Sequence, residues 1–182
     1  MIHDNLGALM RQTSENEEKF TGLILVTGED KPGIANALFQ TLSEFAVQVV
    51  DVAQLIISDR LILTVLITLN PAHQAAIETD LNECAQQLSV DIATLFSTTT
   101  LAGQKSGLIS VSIQSLKLHP KTIGSLTQGL LRLNANIESI TRIYSSPTCI
   151  EINVSGVTLA QLSSEVASLN LEDSATIAIN RK

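Results

Sequence analysis

The loop formed by Thr27–Ile34 contains the residue types that could bind a small zwitterion. Gly28 and Gly33 lack side chains, so the backbone there can come close to a ligand. The first N–H groups of a following helix are unpaired and favour a carboxylate, and Asp30 can accept hydrogen bonds from an ammonium group. The same residues also fit a capped turn in which Asp30 only satisfies helix N–H groups. Both interpretations of this loop stay open at the level of the sequence.

Known catalytic motifs are missing from the sequence. It contains no G-x-S-x-G nucleophile elbow, no P-loop, no G-x-G-x-x-G loop opening a helix and no D-x-D-x-[TV] aspartyl motif. The acidic pairs Glu29-Asp30 and Glu172-Asp173 have no basic or histidine partner at a fixed spacing, and we interpret them as solvated turn residues. His119 is interpreted as a histidine of a surface loop. We therefore assign no catalytic residue.

The cysteine and histidine residues do not form a metal-binding or redox pattern. Cys84 and Cys149 lie far apart and lack C-x-x-C spacing, which favours two packed thiols over a disulfide or a redox motif. His3, His73 and His119 are isolated from each other and from both cysteines, and no H-E-x-x-H motif occurs. We expect no metal site and no cofactor on this chain.

The composition excludes several function classes. Of the 182 residues, 45% are apolar and 16% charged, which is typical of a folded protein. Only 3% are aromatic and the formal net charge is −7, which argues against a nucleic-acid partner. The longest apolar run, Leu61–Leu69, has the length of a strand and not of a membrane span, and Met1–Phe20 lacks the features of a secretory signal. We expect a cytoplasmic protein without nucleic-acid or membrane partners.

The first half of the chain predicts the order βαββαβ. Short runs of apolar and β-branched residues predict strands, and apolar residues at helical spacing predict two helices. Each helix has a proline near its expected first turn, where the missing N–H is not needed. The first helix is predicted to have Pro32 near its first turn, and Pro71 opens the second. The predicted strands are Leu23–Val26, Val47–Ile57, Leu61–Leu69 and Val90–Phe96.

The same order recurs in the second half at an offset of 88 residues. Pro32 corresponds to Pro120, and Leu38 corresponds to Leu126. The sequence therefore predicts an α+β chain of two tandem ferredoxin-like domains, each with a four-stranded antiparallel sheet covered on one face by two helices. The predicted parts are a flexible leader over residues 1–20, a first domain over 21–98, a linker over 99–106 and a second domain over 107–180.

Each predicted domain leaves one sheet face without helices. If that face is apolar it needs a partner, so we expect at least a dimer. Thr21–Thr100 carries a formal charge of −7 and Leu101–Lys182 a charge of +2, which is compatible with pairing between unlike halves. A charge difference of this size between two halves of a chain can also have no function.

The pattern V-T-G-x-D-x-P-G-I-x-x-A-L-F over Val26–Phe39 resembles the first ACT domain of amino-acid regulatory proteins. Val49–Ile57 and Arg60–Leu63 resemble more narrowly the tandem ACT region that precedes the hydrolase domain in actinobacterial-type phosphoserine phosphatases. The similarity runs from about Gly22 to Lys182. It implies two ACT domains, a homodimer formed through them, and a free amino acid bound near the strand-to-helix loop.

The resemblance assigns ligand binding to Asp30, Lys31, Pro32, Gly33 and Ile34. The second half departs from the pattern, because Lys121 stands where the related domain has a glycine and no G-x-D-x-P-G follows Leu116. This departure argues against a second equivalent site. Lys121 is interpreted as a solvated residue of the first helical turn, although its ammonium could also meet a ligand carboxylate.

The leading hypothesis is an L-serine-sensing regulatory module of a phosphoserine phosphatase in serine biosynthesis. The catalytic hydrolase domain, with Mg²⁺ as its cofactor, would then lie outside this chain. The alternative is a free-standing two-ACT regulator similar to the glycine cleavage system transcriptional repressor, which would sense glycine and act through a protein partner. A third interpretation is a dimerisation module without any ligand.

Overall fold

The computed structural model describes residues 18–101, 107–169 and 175–181. The chain divides into two compact units, Met1–Gly103 and Gln104–Lys182. In both units the described residues form four strands and two α-helices in the order βαββαβ. Within these described residues, no helix is long and apolar enough to cross a membrane.

Unit 1 is a four-stranded antiparallel sheet with two helices on one face. Its strand order is β2-β3-β1-β4, which makes β2 and β4 the edge strands. A short 3₁₀ turn at Pro71–His73 precedes the second helix. The elements are β1 (Glu18–Glu29), α1 (Ile34–Ser43), β2 (Gln48–Ile57), β3 (Arg60–Thr68), α2 (Gln74–Leu88) and β4 (Asp91–Thr100).

Unit 2 repeats this arrangement with shorter central strands. Its strand order, β6-β7-β5-β8, corresponds to the order in unit 1, and all its pairs are antiparallel. The two sheets confirm the predicted fold class of tandem ferredoxin-like domains. The elements are β5 (Ile109–Ser115), α3 (Pro120–Arg132), β6 (Asn136–Ser145), β7 (Thr148–Ser155), α4 (Leu159–Ser168) and β8 (Thr176–Arg181).

The buried core of each unit lies between its sheet and its helices. Along β3, every second residue from Leu61 to Ile67 is buried, as expected for a strand with one covered face. The first helix of each unit buries residues at helical spacing, and the offset of 88 relates the two sets. These pairs are Ile34 and Thr122, Leu38 and Leu126, and Leu42 and Leu130.

Strand β1 begins earlier and β4 ends later than the sequence predicts. Glu18, Lys19 and Phe20 pair with Thr100, Thr99 and Thr98, and the rings of Phe20 and Phe96 stack with centroids 6.3 Å apart. Both strands therefore extend past residues 20 and 99, because ladder hydrogen bonds pair their ends, and the predicted domain boundaries stay a prediction. The rest of the predicted leader, residues 1–17, and linker residues 102–106 lie outside the described residues.

The open faces of the two sheets, which their own helices leave uncovered, differ in composition. In unit 1 this face carries Leu23, Leu25, Leu55, Ile57 and Leu95, which are 36% to 64% exposed. Unit 2 has polar residues on the corresponding face. They are Ser110, Ser112, Gln114, Ser139, Thr141, Glu151 and Asn153. Among the described residues, the apolar open face that was expected to need a partner is therefore that of unit 1.

Candidate functional site

The loop between β1 and α1 leaves the N-terminus of α1 without a side-chain cap. Gly33 is the N-cap residue and has φ 98° and ψ −12°, a left-handed conformation that glycine adopts without steric cost. The helical hydrogen bonds begin with the bond from the Ala37 N–H to the Gly33 carbonyl, 2.9 Å. The backbone N–H groups of the first turn, from Ile34 to Asn36, therefore have no partner within the helix.

The capped-turn interpretation of Asp30 is not supported by this geometry. None of the described side chains, including that of Asp30, accepts a hydrogen bond from the first turn of α1. Pro32 lies near the first turn, as the sequence predicts, but not within it. The left-handed Gly33 delays the helix until Ile34, so Pro32 lies just before the cap.

The uncapped helix end opens into a pocket of about 380 Å³. All five residues that the sequence predicts for ligand binding, Asp30–Ile34, line this pocket. Four of them are exposed, whereas Ile34 is only 2% exposed and anchors the helix in the core. The structure thus brings the five residues together, and their binding of a ligand stays a prediction.

Apart from the small Ala35, four further residues line the pocket that the sequence did not predict as part of the site. Asn36 lies in the first turn of α1, Gln54 and Ile56 lie on β2, and Leu61 lies at the start of β3. Within the described part of the chain, the carboxamides of Asn36 and Gln54 have no hydrogen-bond partner, so both are available to a polar ligand. Alternation along β2 would have put Gln54 and Ile56 on one face, but only the sheet register puts that face beside the loop.

Lys31 is engaged by a neighbouring carboxylate. Its Nζ atom lies 2.9 Å from Oε2 of Glu29, and both side chains are more than half exposed. The hydrogen bond from Lys31, together with its charge, lowers the pKa of the Glu29 carboxyl group. Exposed pairs of this kind contribute little to stability. The charge of Lys31 beside the pocket is therefore partly balanced by Glu29.

Gly28 has a different role from the one expected. A Cβ atom at this position would lie 2.8 Å from Cγ1 of Val90, so the glycine allows β1 to pack against the residue preceding β4. Gly28 lines a second, larger depression of about 700 Å³ together with Arg60, Gln86 and Asp91. Of the five predicted residues this depression contains only Lys31.

The equivalent loop of unit 2 has a different backbone. Helix α3 begins at Pro120, which has no N–H, and its N-cap residue His119 is extended, with φ −83° and ψ 144°. Lys121, at the position equivalent to Gly33, lies inside the first turn. The loop is closed locally, because the Ser115 hydroxyl donates to the Lys117 carbonyl (3.1 Å) and accepts from the Lys117 N–H (3.3 Å).

The described residues contain no cluster of three or more His, Cys, Asp or Glu side chains that could hold a metal ion. These residues therefore offer no ligand set for the Mg²⁺ ion, which the resemblance assigns to a hydrolase domain.

Comparison with known proteins agrees with this architecture. The family model of the ACT domain matches residues 21–94. Phosphoserine phosphatase SerB2 of Mycobacterium tuberculosis is 29% identical over 140 residues, which are 75% of this chain and 34% of that protein. A phosphoserine phosphatase of Streptomyces coelicolor is 26% identical over 156 residues, 85% of this chain and 38% of that protein. The chain thus spans little more than a third of these relatives.

Two solved structures share the fold of the whole chain. One, assigned provisionally as a glycine cleavage system transcriptional repressor, has a TM-score of 0.72 and 19% identity, and the match covers 90% of this chain and 99% of that one. The other, an unknown protein from Galdieria sulphuraria, has a TM-score of 0.70 and 13% identity, with 91% and 99% covered. Residues 21–94 therefore match the ACT domain family, and the second unit shares the fold of the first.

Proposed function

We propose that this chain is a regulatory module that binds a free amino acid in the pocket at Asp30–Asn36. The main support for this proposal is the uncapped N-terminus of α1, which opens into the pocket beside Asp30. The unpaired N–H groups and the helix dipole favour the α-carboxylate of the ligand, and the Asp30 carboxylate favours its ammonium group. Gln54 and Asn36 are placed to hydrogen-bond a polar side chain.

L-Serine is the ligand that we propose, in a module that regulates a phosphoserine phosphatase of serine biosynthesis in the cytoplasm. The support is the similarity to two phosphoserine phosphatases, of which the chain spans 34% and 38%. The phosphatase activity would then belong to a region outside the similarity. A hydroxyl group on the ligand also suits the free carboxamide of Gln54.

A second candidate function is supported by the length of a structural match, which covers nearly all of the other protein's chain. The match to the structure assigned provisionally as a glycine cleavage repressor extends over 99% of that chain, unlike the partial match to the phosphatases. In this alternative, the chain is a regulator that senses glycine and acts through a protein partner. Glycine has no side chain to meet Gln54, so ligand preference distinguishes the two candidates.

The proposed regulation acts through a homodimer formed at edge strand β2. Its outer edge is unpaired within the described residues, and apolar side chains are exposed on both of its faces, including Val52 (45%), Leu55 (46%) and Ile56 (49%). Such an edge favours pairing with another strand. Because Gln54 and Ile56 also line the pocket, a bound amino acid would shift the population of the paired state.

The midpoint of thermal unfolding, measured in the presence of each free amino acid, tests the proposal. A ligand that binds only the folded state, at about 100 times its Kd, raises the free energy of unfolding by about 2.7 kcal/mol and moves the midpoint by several degrees. We expect this shift with L-serine and its loss in Asp30→Ala. Glu83→Ala, which removes an exposed carboxylate on α2, is the matched control and should keep the shift.

A shift with glycine alone would favour the second candidate. If no amino acid moves the midpoint, the sensing function is wrong, and dimerisation without ligand is the function to pursue.

A further inference from the structure

The turn between β2 and β3 is hydrogen-bonded to the candidate ligand loop. The backbone N–H of Asp30 donates to the carbonyl oxygen of Asp59 at 2.9 Å. Asp59 and Ser58 are the two residues between the strands, so this bond joins the tip of the hairpin to the residue that would meet the ligand ammonium group. The position of Asp30 therefore depends on the conformation of a turn 29 residues away in sequence.

The backbone of this turn is unusual for its residue types. Ser58 and Asp59 have φ values of 47° and 63°, and two consecutive left-handed residues are typical of the tight hairpin turns in which Asn-Gly is preferred. Residues with a Cβ atom pay a steric cost in this region. Such backbone strain persists where the surrounding structure fixes it, often at functional sites.

The same hairpin also forms one wall of the pocket. Gln54 and Ile56 of β2 and Leu61 of β3 line it opposite the first turn of α1. The hairpin thus contributes to the site twice, through its side chains and through the Asp59 carbonyl.

Unit 2 has no corresponding link among its described residues. Its turn, Ser146-Pro147, makes no backbone hydrogen bond to residues 116–119. The link is therefore a feature of the unit in which the left-handed Gly33 precedes the first helix.

We propose that Asp59 is a positioning residue of the ligand loop, and that hairpin β2–β3 and the amino-acid pocket respond together. This inference rests on the proposed function. Occupation of the pocket would order the hairpin, including edge strand β2, and by thermodynamic reciprocity a strand paired with β2 would tighten ligand binding.

The test compares substitutions at Asp59 and Asn134, which both have a left-handed backbone conformation. Asp59→Val and Asn134→Val each place a β-branched residue at a left-handed position, with φ 63° in unit 1 and φ 54° in unit 2. Asp59→Gly keeps both the carbonyl and the backbone conformation. Asp59→Ala is a milder change for use if Asp59→Val does not fold.

The first measurement is hydrogen exchange of the Asp30 amide, followed by NMR without ligand. We expect faster exchange in Asp59→Val and wild-type exchange in Asn134→Val and Asp59→Gly. The second measurement is calorimetric titration with L-serine and with glycine. Loss of one hydrogen bond predicts affinity about 2- to 10-fold weaker in Asp59→Val, and unchanged affinity in the other two variants.

The inference is overturned if Asp59→Val leaves Asp30 exchange at the wild-type rate, or if Asn134→Val weakens binding equally. Should the wild-type chain bind neither amino acid, the proposed function fails, and the exchange data still decide whether Asp59 positions the loop.

Discussion

The two strand-to-helix loops of this chain occupy equivalent positions in two copies of one fold, but their backbones differ. Neither helix has a side-chain cap, but in unit 1 the left-handed Gly33 precedes a helix that begins at Ile34. In unit 2 the helix begins at Pro120, two residues earlier by the 88-residue offset, and Lys121 takes the place of Gly33 inside its first turn. The buried positions of the helices are repeated, whereas the loop geometry is not.

A repeated core therefore does not imply a repeated site. The core positions are held by apolar contacts on one helix face, which both units need in order to fold. The loop conformation depends on a single glycine, because only glycine adopts the φ of 98° at little cost. The open sheet faces, apolar in unit 1 and polar in unit 2, differ in the same way.

The largest expected effects come from the paired core positions Leu38 and Leu126, which are 0% and 1% exposed. Leu38→Ala and Leu126→Ala should each lower the free energy of unfolding of their unit by about 2–5 kcal/mol, since both leave a cavity in a packed core. Chemical denaturation of both variants measures this loss. A loss below about 1 kcal/mol in one variant would contradict the equivalence of the two cores.

Gly33→Ala and Lys121→Ala compare the two loops directly. Alanine at position 33 meets no atom within 4 Å, so its cost is the left-handed backbone, about 1–2 kcal/mol of stability. Because the backbone would shift or a Cβ atom would crowd the ligand, we expect at least roughly tenfold weaker L-serine binding, about 1.4 kcal/mol. Lys121→Ala should bind like the wild type. Equal affinities in a titration of the two variants would remove Gly33 from the site.

Edge strands β2 and β6 provide the third comparison. Leu55→Lys places a charge on the exposed apolar face of β2, and we expect roughly tenfold weaker self-association, measured by analytical ultracentrifugation. Ile140→Lys on β6, where 53% of the side chain is exposed, is the control and should leave association unchanged. If only Ile140→Lys weakens association, the interface lies on unit 2.

Glu29→Gln should have the smallest effect. The pair with Lys31 is exposed, so the thermal midpoint at pH 7 should stay within about 1 °C of the wild type. Because the pKa of Glu29 is lowered in the folded state, the small contribution of this group is present above its unfolded pKa and fades as the pH falls through the folded value. Thermal unfolding between pH 7 and pH 3 measures it, and a large loss at pH 7 would assign Glu29 a structural role.

The helices and the repeat were predictable because their signals are local. Leu38 and Leu42 repeat at helical spacing, and the sequence alone relates them to Leu126 and Leu130. Gln54 and Asp59 were not predictable as parts of the site, because strand register and a turn bond bring them to Asp30. The start of β1 at Glu18 was missed for a similar reason, since its polar residues become a strand by pairing with β4.

We propose that only the first loop of this tandem binds an amino acid. Isothermal titration of the full chain with L-serine, repeated with glycine, tests this proposal. We expect one ligand per chain, binding that is lost in Asp30→Ala, and binding that is kept in Lys121→Ala. Two ligands per chain, or one ligand that still binds to Asp30→Ala with unchanged affinity, would contradict it.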